Sequence, residues 1–183
     1  FFDARGLDND KTSERRIENT FFREDFRRVY LDDIGTITDA PQLVDRYIEG
    51  FRKAIVPNRS QSARSRATLV FDYAKAPSAS ILPIILNQFG IDAVTLNAAV
   101  KESKLSSTSD EFDLAIRQLG SIASALNAGI GVRIDAGGEK IVVVDNSGKV
   151  IDGMVLLAAV ASLIMRARKG GIVAVPVTAP SIF

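Results

Sequence analysis

The sequence predicts an α/β fold, a mixed/parallel sheet with flanking helices. Three observations predict it. Short apolar runs of strand length alternate with longer stretches of helical period. Residues 67–96 read as a βαβ-like unit. Between Gly131 and Ile151 a strand, a glycine-rich loop, a second strand and a tight turn follow one another.

The elements follow in chain order. A charged stretch after Gly6 leads into a helix over Ser13–Arg28, with Thr12 or Ser13 as its cap. Phe21, Phe22 and Phe26 are expected to pack, and the alternating Glu and Arg residues to form a solvated, ion-paired face. Pro41 opens a second helix, where a missing N–H costs nothing. Val44, Tyr47, Ile48, Phe51 and Ile55 recur along it at helical spacing. Residues 57–67 form a polar connection without period. Its Arg59, Arg64 and Arg66 read as a solvated linker rather than a contact for an acidic partner.

Ala67–Asp72 is a short apolar strand, Ser78–Phe89 a helix stopped by Gly90, and Ile91–Leu96 a second strand. This spacing suits a right-handed parallel crossover. Lys75, Ser78 and Ser80 stand between strand and helix, a place that can bind phosphate. Without a glycine-rich run they read as ordinary capping residues. A Ser/Lys-rich loop covers residues 98–109. Asp110–Asn127 is helical, ended by Gly129, with Phe112, Ile116, Leu119, Ala123 and Leu126 on one face. Gly131–Ile134 and Ile141–Val144 are strands. Asp145-Asn146-Ser147-Gly148 has the composition of a hairpin turn and Lys149–Ile151 returns from it. Asp152 caps an apolar helix, Met154–Arg168, whose Arg166, Arg168 and Lys169 sit where the helix dipole favours cations. Ile172–Val177 is a last, buried strand. Phe1-Phe2 at one end and this strand at the other read as cut edges of a larger protein, because strands need neighbours.

Composition removes several chemistries. The 183 residues carry no Cys and no His, so imidazole-based nucleophilic catalysis, Cys/His zinc sites and a disulfide framework are excluded within the chain. Any metal would need oxygen ligands, which points to Mg²⁺ or Ca²⁺. A net charge of +1 argues against wholesale binding to nucleic acid or membrane. No signal peptide is read at the polar N-terminus, and the apolar run Met154–Met165 is short of the ~20 residues of a membrane span. The expected location is cytoplasmic.

Three stretches, in order, resemble the phosphomannomutase/phosphoglucomutase (α-D-phosphohexomutase) superfamily. Phe1-Phe2-Asp3 with the following helix is similar to the end of that family's first domain. Leu69-Val70-Phe71-Asp72-Tyr73-Ala74, then a helix and Phe89-Gly90, is similar to the opening of its second. Gly131-Val132-Arg133-Ile134-Asp135, then Val142-Val143-Val144-Asp145-Asn146-Ser147-Gly148-Lys149-Val150-Ile151-Asp152-Gly153, resembles its metal loop, hairpin and entry into the third domain. The resemblance implies a sheet like that of the second phosphohexomutase domain. Residues 1–38 are then the end of a first domain, 39–152 a second α/β domain and 153–183 the start of a third, with the first boundary near Asp39 or, alternatively, in the polar stretch 57–67. The stretch from Phe2-Asp3-Ala4-Arg5-Gly6-Leu7-Asp8 through Phe21–Arg28 looks most like mutase-like regions fused behind a mannose-1-phosphate guanylyltransferase domain.

Such mutases resemble one another in a phosphoserine loop, a metal loop Asp-Gly-Asp-x-Asp-Arg that holds Mg²⁺, a sugar loop and a phosphate loop. Only the metal-loop position is expected within this chain. Asp135 matches the first Asp, Gly137 stands where the second belongs, Glu139 replaces the third and Lys140 replaces Arg. One reading is a weakened Mg²⁺ site of Asp135 and Glu139. The other is a plain turn in which Gly137-Gly138 supply backbone freedom, and it is favoured because two exposed acids leave a ligand missing. Lys140 gives a point charge where the family has a planar fork. Asp145 and Asp152 read as a turn residue and a helix cap.

Three functions remain open at this point. The first is a binding or scaffolding module that has lost metal chemistry, with a sugar phosphate and adjoining domains of the same chain as partners. The second is part of an active phosphohexomutase. The third is an unrelated α/β binding module.

Overall fold

A computed structural model describes residues 1–55, 68–100, 108–177, 179 and 181. They form two compact units, Phe1–Ala40 and Pro41–Phe183. The linker arginines 59, 64 and 66 lie outside the described residues, as does most of the Ser/Lys-rich loop.

In the first unit, α1 runs over Lys11–Phe22 and not to Arg28. Glu24 turns to φ +52°, which no right-handed helix can contain. Its cap is Asp10, ahead of both Thr12 and Ser13. The Asp10 carboxylate accepts from both their N–H groups at 2.8 and 3.0 Å, so those residues are capped rather than capping. Phe21, Phe22 and Phe26 do not pack into a core. Phe21 and Phe22 touch edge to face at 5.6 Å, yet all three stay exposed, and no residue from 1 to 40 is buried.

The second unit is built on a four-stranded sheet. Helix α2, Gln42–Ile55, follows Pro41 as expected and buries Ile48. The strands are β1 (Leu69–Asp72), β2 (Ala93–Leu96), β3 (Ile130–Ile134) and β4 (Ile141–Asp145), in the order β2-β1-β3-β4. β1 is parallel to β2 and β3, and β4 returns antiparallel beside β3. The sheet is therefore mixed, within the mixed or parallel arrangement the sequence predicts.

Successive strand residues point to opposite faces, and both faces are covered. On one, Val70 and Val144 pack with Leu119, Ala123 and Ala128 from helix α4 (Ser109–Ala125) and its exit. On the other, Phe71, Tyr73, Val132, Ile134 and Val143 meet Leu82 and Leu86 of α3 (Leu82–Gln88) and Leu156 of α5 (Gly153–Ala167). A charge inside such a two-sided core must be paired or move out.

Local chemistry explains where elements end. The expected helix at Ser78–Phe89 divides into a short 3₁₀ turn, Pro77–Ser80, and α3, with Pro83 in its first turn. Gly90, at φ +66°, stops it, and the Ile91 N–H returns to the Leu86 carbonyl. α4 begins with Thr108 and Glu111 bonding reciprocally to each other's backbone N–H. It ends before Gly129 is reached, because Asn127 takes the left-handed conformation and the Ala128 N–H reaches the Ala123 carbonyl. Asp152 caps α5 through the N–H groups of Met154 and Val155. Ile172–Val177 is not a strand. Ile172 and Val177 are fully exposed, and no described strand lies beside them to satisfy their backbone groups. Among the described residues no helix is long and apolar enough to cross a membrane.

Candidate functional site

The strand order 2-1-3 has a direct consequence. The chain leaves β1 toward β2 with α3 on one face and returns past β1 to β3 with α4 on the other. The carboxyl ends of β1 and β3 thus flank a crevice with no connection passing over it, the place where open α/β sheets bind ligands. Two charged side chains meet there. Asp72 ends β1, Arg133 lies opposite it in register on β3, and they form an ion pair. Asp72 is 1 % exposed and the Arg133 side chain 11 %. The second Asp72 oxygen accepts the Ala74 N–H at 2.9 Å and the Asn97 amide at 3.0 Å. The buried carboxylate is therefore held by several bonds, the condition under which a low-dielectric pair survives.

The rim is conformationally demanding. Ala74, Lys75 and Asn97 all have positive φ (53°, 62° and 49°) without being glycine. The Lys75 N–H donates to the Asn97 carbonyl at 2.8 Å and the Tyr73 N–H to that of Leu96 at 3.0 Å, which fixes the turn after β1 against the end of β2. Non-glycine residues held this way concentrate at functional sites. Lys75, Ser78 and Ser80 cap neither the 3₁₀ turn nor α3, where the caps fall at Ala76 and Ile81 with no side-chain bond. The 3₁₀ turn is preceded by Ala76, which makes no side-chain cap, and the buried Ser78 hydroxyl has no hydrogen-bond partner among the described residues.

The Asp135–Lys140 loop continues from β3 at the same end. A cleft of about 570 Å³ lies against it, lined by residues that include Phe112, Arg133, Asp135, Gly137 and Lys140. Asp135 Oδ1 accepts the N–H groups of Glu139 at 2.8 Å and Lys140 at 3.1 Å. The Asp135 N–H closes the loop onto the Lys140 carbonyl at 2.9 Å. The Lys140 N–H foremost, with those of Glu139 and Gly138, holds the Asp135 carboxyl below the usual carboxylate range. Gly138 carries the required positive φ, +74°; Gly137 does not.

A Cβ placed on Gly137 would lie 3.8 Å from Glu139 Cγ and 4.0 Å from Asp135 Oδ2. The two acids singled out from sequence therefore both come within about 4 Å of the slot where the family pattern has its middle Asp. The residues present do not fit Mg²⁺ as a resident ion. There are two carboxylates, one with an oxygen already committed to the backbone. Among the described residues no three His, Cys, Asp or Glu side chains converge as a metal would need. Asp145 and Asp152 hold the turn and the cap.

Sequence reasoning did not find Asp72, Arg133, Asn97 or Phe112. The available signal was an arginine between Val132 and Ile134 in an otherwise apolar strand, since such a charge needs a partner from elsewhere in the fold.

The fold is an open, doubly covered α/β sheet with a crevice at the switch between β1 and β3. None of the family models compared with the chain matches it. A phosphoglucomutase/phosphomannomutase of Thermococcus kodakarensis is 25% identical over 170 residues, covering 93% of this chain and 37% of the relative. A phosphoglucosamine mutase of Campylobacter concisus is 26% identical over 176 residues, covering 93% and 38%. The chain thus spans a little over a third of the curated relatives' length. A crystal structure of a phosphoglucomutase/phosphomannomutase family protein from Burkholderia thailandensis superposes with a TM-score of 0.55 at 19% identity, covering 69% of this chain and 26% of that one. That of a phosphomannomutase-type protein from Thermus thermophilus gives 0.53 at 18% identity, covering 70% and 29%. Sequence relatives and shared fold together support a likeness to the phosphohexomutase superfamily.

Proposed function

We propose that this chain is a sugar-phosphate-binding module of a phosphohexomutase-like protein and does no metal-dependent chemistry by itself. The observation that carries the reading is the Asp135–Lys140 loop. It keeps the length and closure of a ligand loop at the crevice while Gly137 leaves the slot between Asp135 and Glu139 without an oxygen donor. Three carboxylates offset the dehydration of Mg²⁺; two leave it poorly held.

The segments 1–38, 39–152 and 153–183 are then the end of a first, a second, and the start of a third domain of the mutase type. The module works in the cytoplasm beside further domains of its own protein, with no nucleic acid or membrane partner. Attachment to a mannose-1-phosphate guanylyltransferase domain belongs to the same proposal and rests on the likeness of residues 2–28. The parent gene read upstream of Phe1 tests it, since a different upstream domain ends that part.

The test of the main reading is thermal unfolding of the chain with hexose 1-phosphates, with and without millimolar Mg²⁺. The expected result is stabilisation by the sugar phosphate and none by Mg²⁺ alone, because only what binds the folded state raises its melting temperature. A robust Mg²⁺-dependent rise counts against the reading. A second reading, part of an active mutase moving phosphate between C6 and C1 of a hexose, is favoured by the relatives' names. Hexose 1-phosphate to 6-phosphate turnover by the parent protein would establish it, and its absence would end it.

A further inference from the structure

We infer that Arg133 is an oxyanion-binding group that takes the phosphate of a phosphate monoester in the crevice without a metal ion. The inference deepens the sugar-phosphate reading and rests on it only for the sugar half of the ligand.

The argument starts from how Arg133 is held. A guanidinium carries five N–H donors in a planar fork. Among the described residues one of its nitrogens, Nη1, is bonded, to Asp72. Asp72 is itself fixed by the Ala74 N–H and the Asn97 amide, so the arginine is anchored at the base of the site through its neighbour. The Phe112 ring lies 6.0 Å from Arg133 Cζ, close enough for a cation–π contact. Arg133 also lines the cleft. A pre-positioned fork with spare donors is the arrangement that recognises phosphate or carboxylate.

Phosphate is favoured over carboxylate by the second cation. Lys140 lines the same cleft and is exposed, a point charge of the kind that accompanies an arginine on a dianion. Asp135 faces that space too, but one of its oxygens is taken by two backbone N–H groups. Fixed cations thus stand at a loop whose own carboxylates are too few to hold a mobile one.

If Arg133 served only to brace β1 against β3, ligands would leave it untouched. The experiment follows the Arg133 Nε–Hε resonance by NMR in the whole chain, in EDTA, during titration with inorganic phosphate, then a hexose 1-phosphate, then acetate. The expected result is a saturable shift of that resonance with phosphate and not with acetate. Arg133→Lys, which keeps a charge against Asp72 but loses the fork, should weaken phosphate binding at least about tenfold. Should that variant fail to fold, Lys140→Gln at an exposed site should still weaken it by about threefold.

Three results overturn the inference: no phosphate binding in EDTA, acetate bound as tightly as phosphate, or phosphate affinity unchanged in Lys140→Gln. Hexose phosphate bound with the Arg133 resonance unmoved also sinks it, while leaving the sugar-phosphate reading intact. Phosphate bound through Arg133 with no gain from the hexose sinks that reading and leaves this inference standing.

Discussion

β4 is flanked by two loops that begin alike and differ in what surrounds them. At one end Asp135 accepts the N–H groups of Glu139 and Lys140; at the other Asp145 accepts those of Ser147 and Lys149 at 2.8 and 3.0 Å, and the Ser147 hydroxyl at 2.7 Å. Both are carboxylate-closed turns. The Asp145 turn is pressed against α4: a Cβ on Gly120 would lie 2.4 Å from the Gly148 carbonyl oxygen, and one on Gly148 would lie 2.5 Å from that of Gly120. Around Gly137 the nearest atom would be 3.8 Å away. The same local chemistry makes a packing joint in one place and an open, alterable loop in the other. Only the loop at the crevice has room for function to change.

The contrast can be broken hardest at the joint. Gly120→Ala gains helix propensity, worth about 1 kcal/mol, but drives a methyl into backbone that cannot rotate away. Overpacking of this kind costs about 3 kcal/mol, so the net expectation is clear destabilisation in urea unfolding. Gly148→Ala should be at least as costly, because φ is also +83° there.

Next comes the buried pair that anchors the crevice. Asp72→Asn leaves Arg133 buried without its counter-charge and should cost on the order of 3 kcal/mol. Urea midpoints check it, and a loss under about 1 kcal/mol would mean the arginine finds water instead.

Gly137→Asp sharpens the comparison from the other side. It places a third carboxylate beside Asp135 and Glu139 and should create a divalent-ion site. Mg²⁺ or Ca²⁺ should then raise the melting temperature of the variant only, by up to about 2.7 kcal/mol of stabilisation at roughly a hundredfold excess over Kd. An equal response in the unaltered chain would refute the assignment of the missing donor. Gly137→Ala, by contrast, should be neutral within about 0.5 kcal/mol.

The smallest effect is on pH dependence. Asp135 and Asp145 both titrate below the ordinary value of 3.8, Asp135 chiefly through the Lys140 N–H and Asp145 through the Ser147 hydroxyl. A carboxyl whose pKa is depressed by folding contributes stability that is fully present above its unfolded value. That stability is lost as pH falls from there through the folded value. Asp135→Asn and Asp145→Asn should each flatten the fall in melting temperature below about pH 4, without steepening it at neutral pH.

What could be read from the sequence was whatever depends on near neighbours. Asp152 before an apolar run, Gly90 after one, and Asp145-Asn146-Ser147-Gly148 between strands each state a local rule, and the sheet and its hairpin follow. Where several residues compete for one local role, the reading slipped: Asp10 outranks Thr12 and Ser13 as a cap because a carboxylate accepts both N–H groups at once. The crevice was illegible for another reason. Arg133 meets Asp72 across 61 residues of chain and Asn97 meets it across 25, and no periodicity records which strand ends become neighbours. The loop acids were visible because a family pattern marked them, whereas their separation around Gly137 is a property of the folded backbone.

The pairing of β4 sets a rule for how this protein can diversify. Val143 serves one core and Val144 the other. A residue inserted among 135–140 must either bulge outward, forfeiting the clasp from Asp135 to Glu139 and Lys140, or be absorbed by sliding β4, which swaps the two valines between layers. The loop is therefore free in spelling and fixed in length, and drift along a lineage should rewrite its letters while leaving their number alone.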